Sequence, residues 1–162
     1  MNQQRVKTAI LGLFLILWIS ATGAPFAEAQ EKGATLYQRL GGYDAIAALV
    51  DDFVGRLAAD PQFARFFQGS SKDSRKRRRQ LLVEQLCEAA GGPCYYTGRS
   101  MKAAHEGLGI SERNWDLMLK HLTESFDKFH IRPDERKAVL DIVAGTRGDI
   151  VESSDKAEGG TI

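Results

Sequence analysis

Histidine is scarce in this chain of 162 residues, with three copies, and cysteine scarcer still, with two. No second His, Cys or Asp stands at metal-ligand spacing beside His105, which argues against a zinc site. An excess of either charge is missing as well: 22 basic residues face 21 acidic ones, for a formal net charge of +1. That balance gives no global reason to expect nucleic acid or a membrane surface as partner. Strand-like alternation of convincing length is absent, and so is an internal repeat; apolar residues recur with helical spacing throughout. Prolines number four, and Pro61, Pro93 and Pro133 stand where helices would start or stop.

Long hydrophobic runs are missing with one exception. MNQQRVK carries Arg5 and Lys7 and no acid; TAILGLFLILWIS follows, an apolar run too short to span a bilayer comfortably. Ala27-Glu28-Ala29 then offers small residues at cleavage spacing. Residues 1–29 therefore read as a secretory signal cut after Ala29, which implies a periplasmic or otherwise exported protein. The alternative is an uncleaved anchor, and membrane contact is expected through that segment alone. Its removal takes away Arg5, Lys7 and Glu28 and leaves the charge balance neutral. Residues 30–34 read as a short leader, 35–152 as one compact domain, and 153–162 as a polar, glycine-rich tail. A domain of that size has a limited core, which a bound cofactor's apolar surface would help to complete.

Along the domain, LYQRL is a short helical piece closed by Gly41-Gly42. Ile46, Val50, Phe53, Val54 and Leu57 then form one apolar helical face, and Asp60-Pro61 ends that helix. FARFF is a single helical turn carrying three aromatics. Asp73 or Ser74 is expected to cap the next helix, whose stripe is Leu82, Val83, Leu86, Cys87 and Ala90 and which stops at Gly91-Gly92-Pro93. CYYTGRSMKAAHEGLG is short on periodicity and expected to be partly helical. Ser111 caps a helix with Trp115, Met118, Leu119, Leu122 and Phe126 on one face. Arg132-Pro133 opens the last helix, with Val139, Leu140, Val143 and Ile150 inward. The fold class is all-α, two antiparallel helix pairs being the economical packing.

The histidines differ in their surroundings. His121 lies about 100° off the Trp115–Leu122 stripe and is expected to face solvent. His130, in the turn before the last helix, is expected to be exposed too. His105 alone is bracketed by apolar groups at helical reach, Met101 four residues before and Leu108 three after. Its stretch, GRSMKAAHEGLGI, then breaks at Gly107 and Gly109. Spacing alone allows two roles. His105 is either a hydrogen-bonded structural residue or the one protein ligand of a haem iron, whose equatorial ligands come from the porphyrin.

TLYQRLGGYDAI, VDDFVGRLAADPQFARFF and GGPCYYTGRSMKAAHEGLGI, in that order, resemble the truncated haemoglobins of group I. The double glycine, the Phe-Phe pair, GGP, Y-T-G-R and M-K-x-x-H are weak singly and specific together. The resemblance covers Thr35 to Val151 and implies a truncated globin-like, two-over-two helical sandwich. It places the proximal iron ligand at His105. C-x-x-C-H is absent, so the cofactor would be non-covalent haem b. The imidazole must be neutral to ligate, and its other ring nitrogen needs an acceptor, a nearby backbone carbonyl being expected.

Matched residue by residue, Phe67 is the ring this family packs against the porphyrin. Phe53 and Val54 wall the pocket from the second helix, and Leu82 and Leu86 from the helix over the distal face. Met101, Ile110, Trp115 and Met118 line the proximal side or the haem rim; each of these positions also suits ordinary core packing. The resemblance carries one departure. Where many members hold a distal tyrosine this chain has Val54, and the distal-helix positions hold Arg78, Leu81 and Leu82, after a loop three residues longer. A pocket poor in donors and a five-coordinate ferrous iron are expected.

Lys72, Arg75, Lys76, Arg77, Arg78 and Arg79 crowd a helix N-terminus, where the helix dipole disfavours cations. An exported protein has little access to nucleic acid, so no nucleic-acid partner is expected, and a solvated helix face is the plain alternative. The electrostatic cost points to an anion nearby. Haem propionates qualify, held by Arg79 or Arg75 and, from the other side, by Tyr96, Arg99 and Lys102. Cys87 and Cys94 flank the GGP turn, and two cysteines in an exported chain suggest a disulfide.

What the resemblance implies is a haem protein that reversibly binds a diatomic ligand: oxygen, nitric oxide or carbon monoxide. Oxygen transport and nitric oxide detoxification both follow from it. Turnover as a nitric oxide dioxygenase or in a peroxidase-like way, with a reductase as partner, stays open. The alternatives are a haem-binding shuttle or sensor without gas chemistry, and a cofactor-free helical interaction module using the basic run as contact surface.

Overall fold

The computed structural model describes residues 33–152, all helix and connecting loop; the segments expected as signal and tail lie outside the described residues. Helix α1 (Leu36–Arg39) opens with a capping box in which the Thr35 hydroxyl accepts from the Gln38 N–H and the Gln38 side chain accepts from the Thr35 N–H. Gly41, at φ 92°, turns the chain into α2 (Gly42–Ala59), a backbone conformation glycine adopts without strain. Asp60 ends α2 in extended geometry ahead of Pro61, and its carboxylate accepts from the Gln62 N–H at 2.8 Å. That bond starts a 3-10 turn, Pro61–Phe63, which leads into α3 (Ala64–Phe67).

Helix α4 (Lys72–Ala89) is capped by Ser71, not by Asp73 or Ser74 as expected. The Ser71 hydroxyl accepts from the Ser74 N–H at 3.0 Å, so the helix starts early enough to take both residues into its first turn. After Ala90 the Gly92 N–H donates back to the Cys87 carbonyl at 2.8 Å and closes the end. Ser100 caps α5 (Met101–His105), and Ser111 and Asn114 form the capping box of α6 (Glu112–Lys128). Helix α7 (Pro133–Ala144) stops at Gly145. Ile150, expected on the face of that last helix, therefore belongs to a separate helix, α8 (Arg147–Ile150).

Helix α2 packs on both α4 and α6, α1 on α2 and α7, and α5 on α8. The core sits where α2, α4, α6 and α7 meet. Ile46, Val83, Cys87, Phe126 and Val139 have almost no exposure, with Leu49, Val50 and Leu122 around them. Truncating Phe126 to alanine would cost about 3–5 kcal/mol there. Two polar side chains are buried with them. Ser125 donates to Asp52 at 2.9 Å, tying α6 to α2. Glu135 accepts from Arg132 and Arg39, pinning α7 to α1. The Arg132 hydrogen bond, opposed by burial and helped by Arg39, holds the Glu135 carboxyl below its ordinary range.

Candidate functional site

His105 is the last residue of a five-residue helix, α5, and the chain leaves helical geometry at Glu106. Gly107 and Gly109 come next in left-handed conformations, at φ 80° and 61°. His105 is half-buried, and its Nδ1 lies 2.8 Å from the Met101 carbonyl oxygen. A ring nitrogen facing a carbonyl carries the proton, so in the neutral ring Nε2 keeps its lone pair. Nε2 makes no hydrogen bond among the described residues. The expected carbonyl partner is therefore Met101, and the tautomer is the one a metal-ligating imidazole needs.

The loop after His105 is held from both sides. Arg65 of α3 donates to the Gly109 carbonyl at 2.6 Å, the Gly109 N–H donates to Glu152 at 3.1 Å, and the Glu152 N–H donates to the Ile110 carbonyl at 2.9 Å. On the other side of α5, the Gln85 amide of α4 donates to the Met101 sulfur at 3.2 Å. Sequence reading passed over Gln85, although it stands three residues after Leu82 and so shares a helical face with it.

Phe53, Val54, Leu82 and Leu86 line the edge of the core from α2 and α4, each half-buried. Phe67, Met101, Ile110 and Met118 are half-buried as well, Trp115 is buried, and Leu108 is 43% exposed. Many apolar side chains only partly covered, together with a histidine whose Nε2 lone pair is free, fit a flat apolar cofactor that ligates through iron. Side-chain clusters give no rival: no group of three or more His, Cys, Asp or Glu among the described residues could hold a metal ion.

The cations divide. Arg79 clasps Asp51 of α2 with both arms of its fork, at 2.7 and 2.8 Å, and the Arg79 hydrogen bond, against burial, lowers the Asp51 carboxyl. Arg75 donates to the Ser70 carbonyl. Arg78 donates to the Phe66 carbonyl at 3.2 Å and the Ser70 hydroxyl at 2.7 Å, and is exposed. The Tyr96 hydroxyl donates to the Arg99 carbonyl, folding its loop over itself. Arg99 and Lys102 are exposed and, among the described residues, form no ion pair.

His121 corrects an expectation. Its side chain is 15% exposed, with Nε2 2.8 Å from Asp60 and the ring edge-on to Phe63. The His121 hydrogen bond is the leading cause that lowers the Asp60 carboxyl. Its partner lies 61 residues away, beyond the reach of any periodicity argument. His130 is exposed, as expected. Cys87 and Cys94 are joined by a disulfide that ties the last turn of α4 to the segment leading into α5.

Comparison with known proteins agrees with this layout. The family model described as bacterial-like globin matches residues 35–152. The group 1 truncated hemoglobin GlbN of Nostoc sp. (strain MUN 8820) is 36% identical over 118 residues, covering 73% of this chain and 98% of that protein. GlbN of Mycolicibacterium paratuberculosis (strain ATCC BAA-968 / K-10) is 32% identical over 111 residues, covering 68% of this chain and 79% of that one. Among solved structures, the 2/2 hemoglobin of Synechococcus sp. PCC 7002, in the cyanomet state with covalently attached heme, superposes with a TM-score of 0.66 at 29% identity. That match covers 73% of this chain and 98% of the other. The all-α, two-over-two fold expected from the sequence is thus the one observed, and the chain belongs to the bacterial-like globin family, among relatives that are group 1 truncated hemoglobins.

Proposed function

We propose that the protein is a haem b protein that reversibly binds diatomic gases, with His105 as the sole protein ligand of the iron. The observation that carries this reading is the His105–Met101 hydrogen bond, which fixes the imidazole in the ligating tautomer. Bound there, haem would supply a ferrous iron open on one side to a small ligand. The chain's residues do the rest. Phe53, Val54, Phe67, Leu82, Leu86, Met101, Ile110, Trp115 and Met118 exclude water from the porphyrin faces. Arg99 and Lys102, with Tyr96 beside them, are placed on the segment bearing His105 and serve the propionate carboxylates; Arg75 and Arg79 reach the same anions from α4 only by sharing bonds already made to Ser70 and Asp51.

Oxygen carriage and nitric oxide detoxification are the physiological roles this chemistry supports, the second needing a reductase to restore ferrous iron. Export to the periplasm completes the reading. It is supported by the opening apolar segment and by the Cys87–Cys94 disulfide, a bond that persists in oxidising compartments. Two measurements test the proposal together. The purified protein should show a Soret band in both its ferric and its ferrous form, and the ferrous band should shift on adding carbon monoxide. Supplied with oxygen and an electron donor, the protein should then turn nitric oxide into nitrate many times over per haem if the role is detoxification, and give no more than the single nitrate per haem of a stoichiometric oxidation if it is carriage. A Soret band insensitive to gas would leave a haem shuttle, and the absence of any band a cofactor-free module.

A further inference from the structure

We propose that Arg65, working with Glu152, is a positioning residue for His105: together they fix the loop at residues 106–110 and so set the angle at which Nε2 faces the iron. The inference rests on the reading of His105 as the haem ligand.

Helix α5 does not set that angle by itself. It ends at His105, and the ring's hydrogen bond runs back to Met101 within the same helix, so the loop at 106–110, which starts beside the ring, bears on the tilt of the last turn together with Gln85 at Met101 and the packing on α8. That loop carries two left-handed glycines and is intrinsically loose. Gly109 is gripped at both of its backbone polar groups, its carbonyl by Arg65 and its N–H by Glu152, while the Glu152 N–H secures Ile110 one residue on. The grip comes from two separate elements, α3 and the chain beyond α8, and α8 is also the element on which α5 rests.

Arg65 is itself held in place. Its guanidinium carbon lies 4.5 Å from the centroid of the Phe66 ring, which packs 6.0 Å from the buried ring of Phe63. A planar cation stacked on an aromatic face is pre-organised for its hydrogen bond, unlike a free surface arginine. The same short helix also meets the distal side, because Arg78 of α4 donates to the Phe66 carbonyl and lies over the Phe67 ring. Helix α3 thereby joins the loop behind His105 to the helix over the opposite face.

The test is the iron–histidine stretching band of the ferrous, ligand-free holoprotein, read by resonance Raman, alongside the rate of haem transfer to an apomyoglobin acceptor. Arg65→Gln and Glu152→Ala should each shift or split the band and release haem roughly three- to tenfold faster, the loss of one charge-assisted hydrogen bond at an exposed site. Arg65→Lys, which keeps the charge and one donor, should restore most of the band. Arg113→Gln, at an exposed arginine bonded to Gln62, should leave both readouts unchanged. A band that stays at the wild-type position and width in both Arg65→Gln and Glu152→Ala overturns the proposal, even if their thermal midpoints fall. No such band in the wild type, or one that survives His105→Gly, overturns instead the assignment of His105 on which it rests.

Discussion

The guanidinium of Arg78 sits 5.5 Å from the centre of the Phe67 ring, tied to the Phe66 carbonyl and the Ser70 hydroxyl. A cation engaged three ways at the surface has little reason to enter an apolar pocket, where desolvation would cost it several kcal/mol. Gln85 is committed as well, to the Met101 sulfur. Val54, Leu82 and Leu86, packed against the core from α2 and α4, bring no hydrogen-bond donor to the distal side that the proposed haem site would have.

The first prediction concerns that missing donor. A hydrogen bond to a polarised diatomic is worth about 1–3 kcal/mol, or roughly ten- to hundredfold in affinity. Oxygen release from the wild type should be fast, and Val54→Tyr should slow it at least severalfold while barely changing carbon monoxide release. Arg78→Ala should leave oxygen release where it was. Stopped-flow displacement of oxygen by carbon monoxide decides; slow release by the wild type, lost in Arg78→Ala, would show that the arginine swings inward.

Much of this was readable in the sequence. Helix ends written in local chemistry were legible: the Gly41-Gly42 turn, Asp60-Pro61, the Ser111 cap and Pro133 all act within a few residues of where they stand. His105 stood out through its bracketing by Met101 and Leu108. The Ser71 cap was missed because Ser71, Asp73 and Ser74 are all good cap residues and only geometry selects among them. Three other features were illegible for another reason. His121 with Asp60, Arg79 with Asp51 and Arg65 with Gly109 join residues 61, 28 and 44 positions apart, and no periodicity encodes such pairs.

A second prediction comes from Asp52. Burial pushes its carboxyl upward, but hydrogen bonds from Lys128, Arg56 and Ser125 outweigh that and hold it at about 2. The folded value lies below the unfolded one, near 3.9, so the stabilisation is fully present above about pH 4 and is lost as pH falls toward 2. Lys128 is largely exposed, so the contribution is on the order of 1–2 kcal/mol. Urea midpoints of the haem-free protein at pH 5, 4 and 3 should fall more steeply for the wild type than for Asp52→Asn. Parallel curves would remove this network from the account of acid sensitivity.

The third concerns the disulfide. Material taken from an exported fraction and unfolded in denaturant should show no alkylation of Cys87 or Cys94 until a reductant is added. Replacing both by alanine should lower stability by about 2–3 kcal/mol, as expected for a loop this short, and should leave the Soret maximum in place. Free thiols in freshly isolated protein would contradict both the bond and the compartment.

The most direct measurement is the absorption spectrum of His105→Gly. If His105 alone holds the iron, this variant should lose haem or bind it weakly, and added imidazole should restore the five-coordinate ferrous spectrum by filling the space left by the ring. His121→Ala and His130→Ala should keep the wild-type spectrum, the first at some cost in stability for the bond to Asp60. A His105→Gly spectrum identical to wild type, or equal loss of haem in all three variants, would contradict the account.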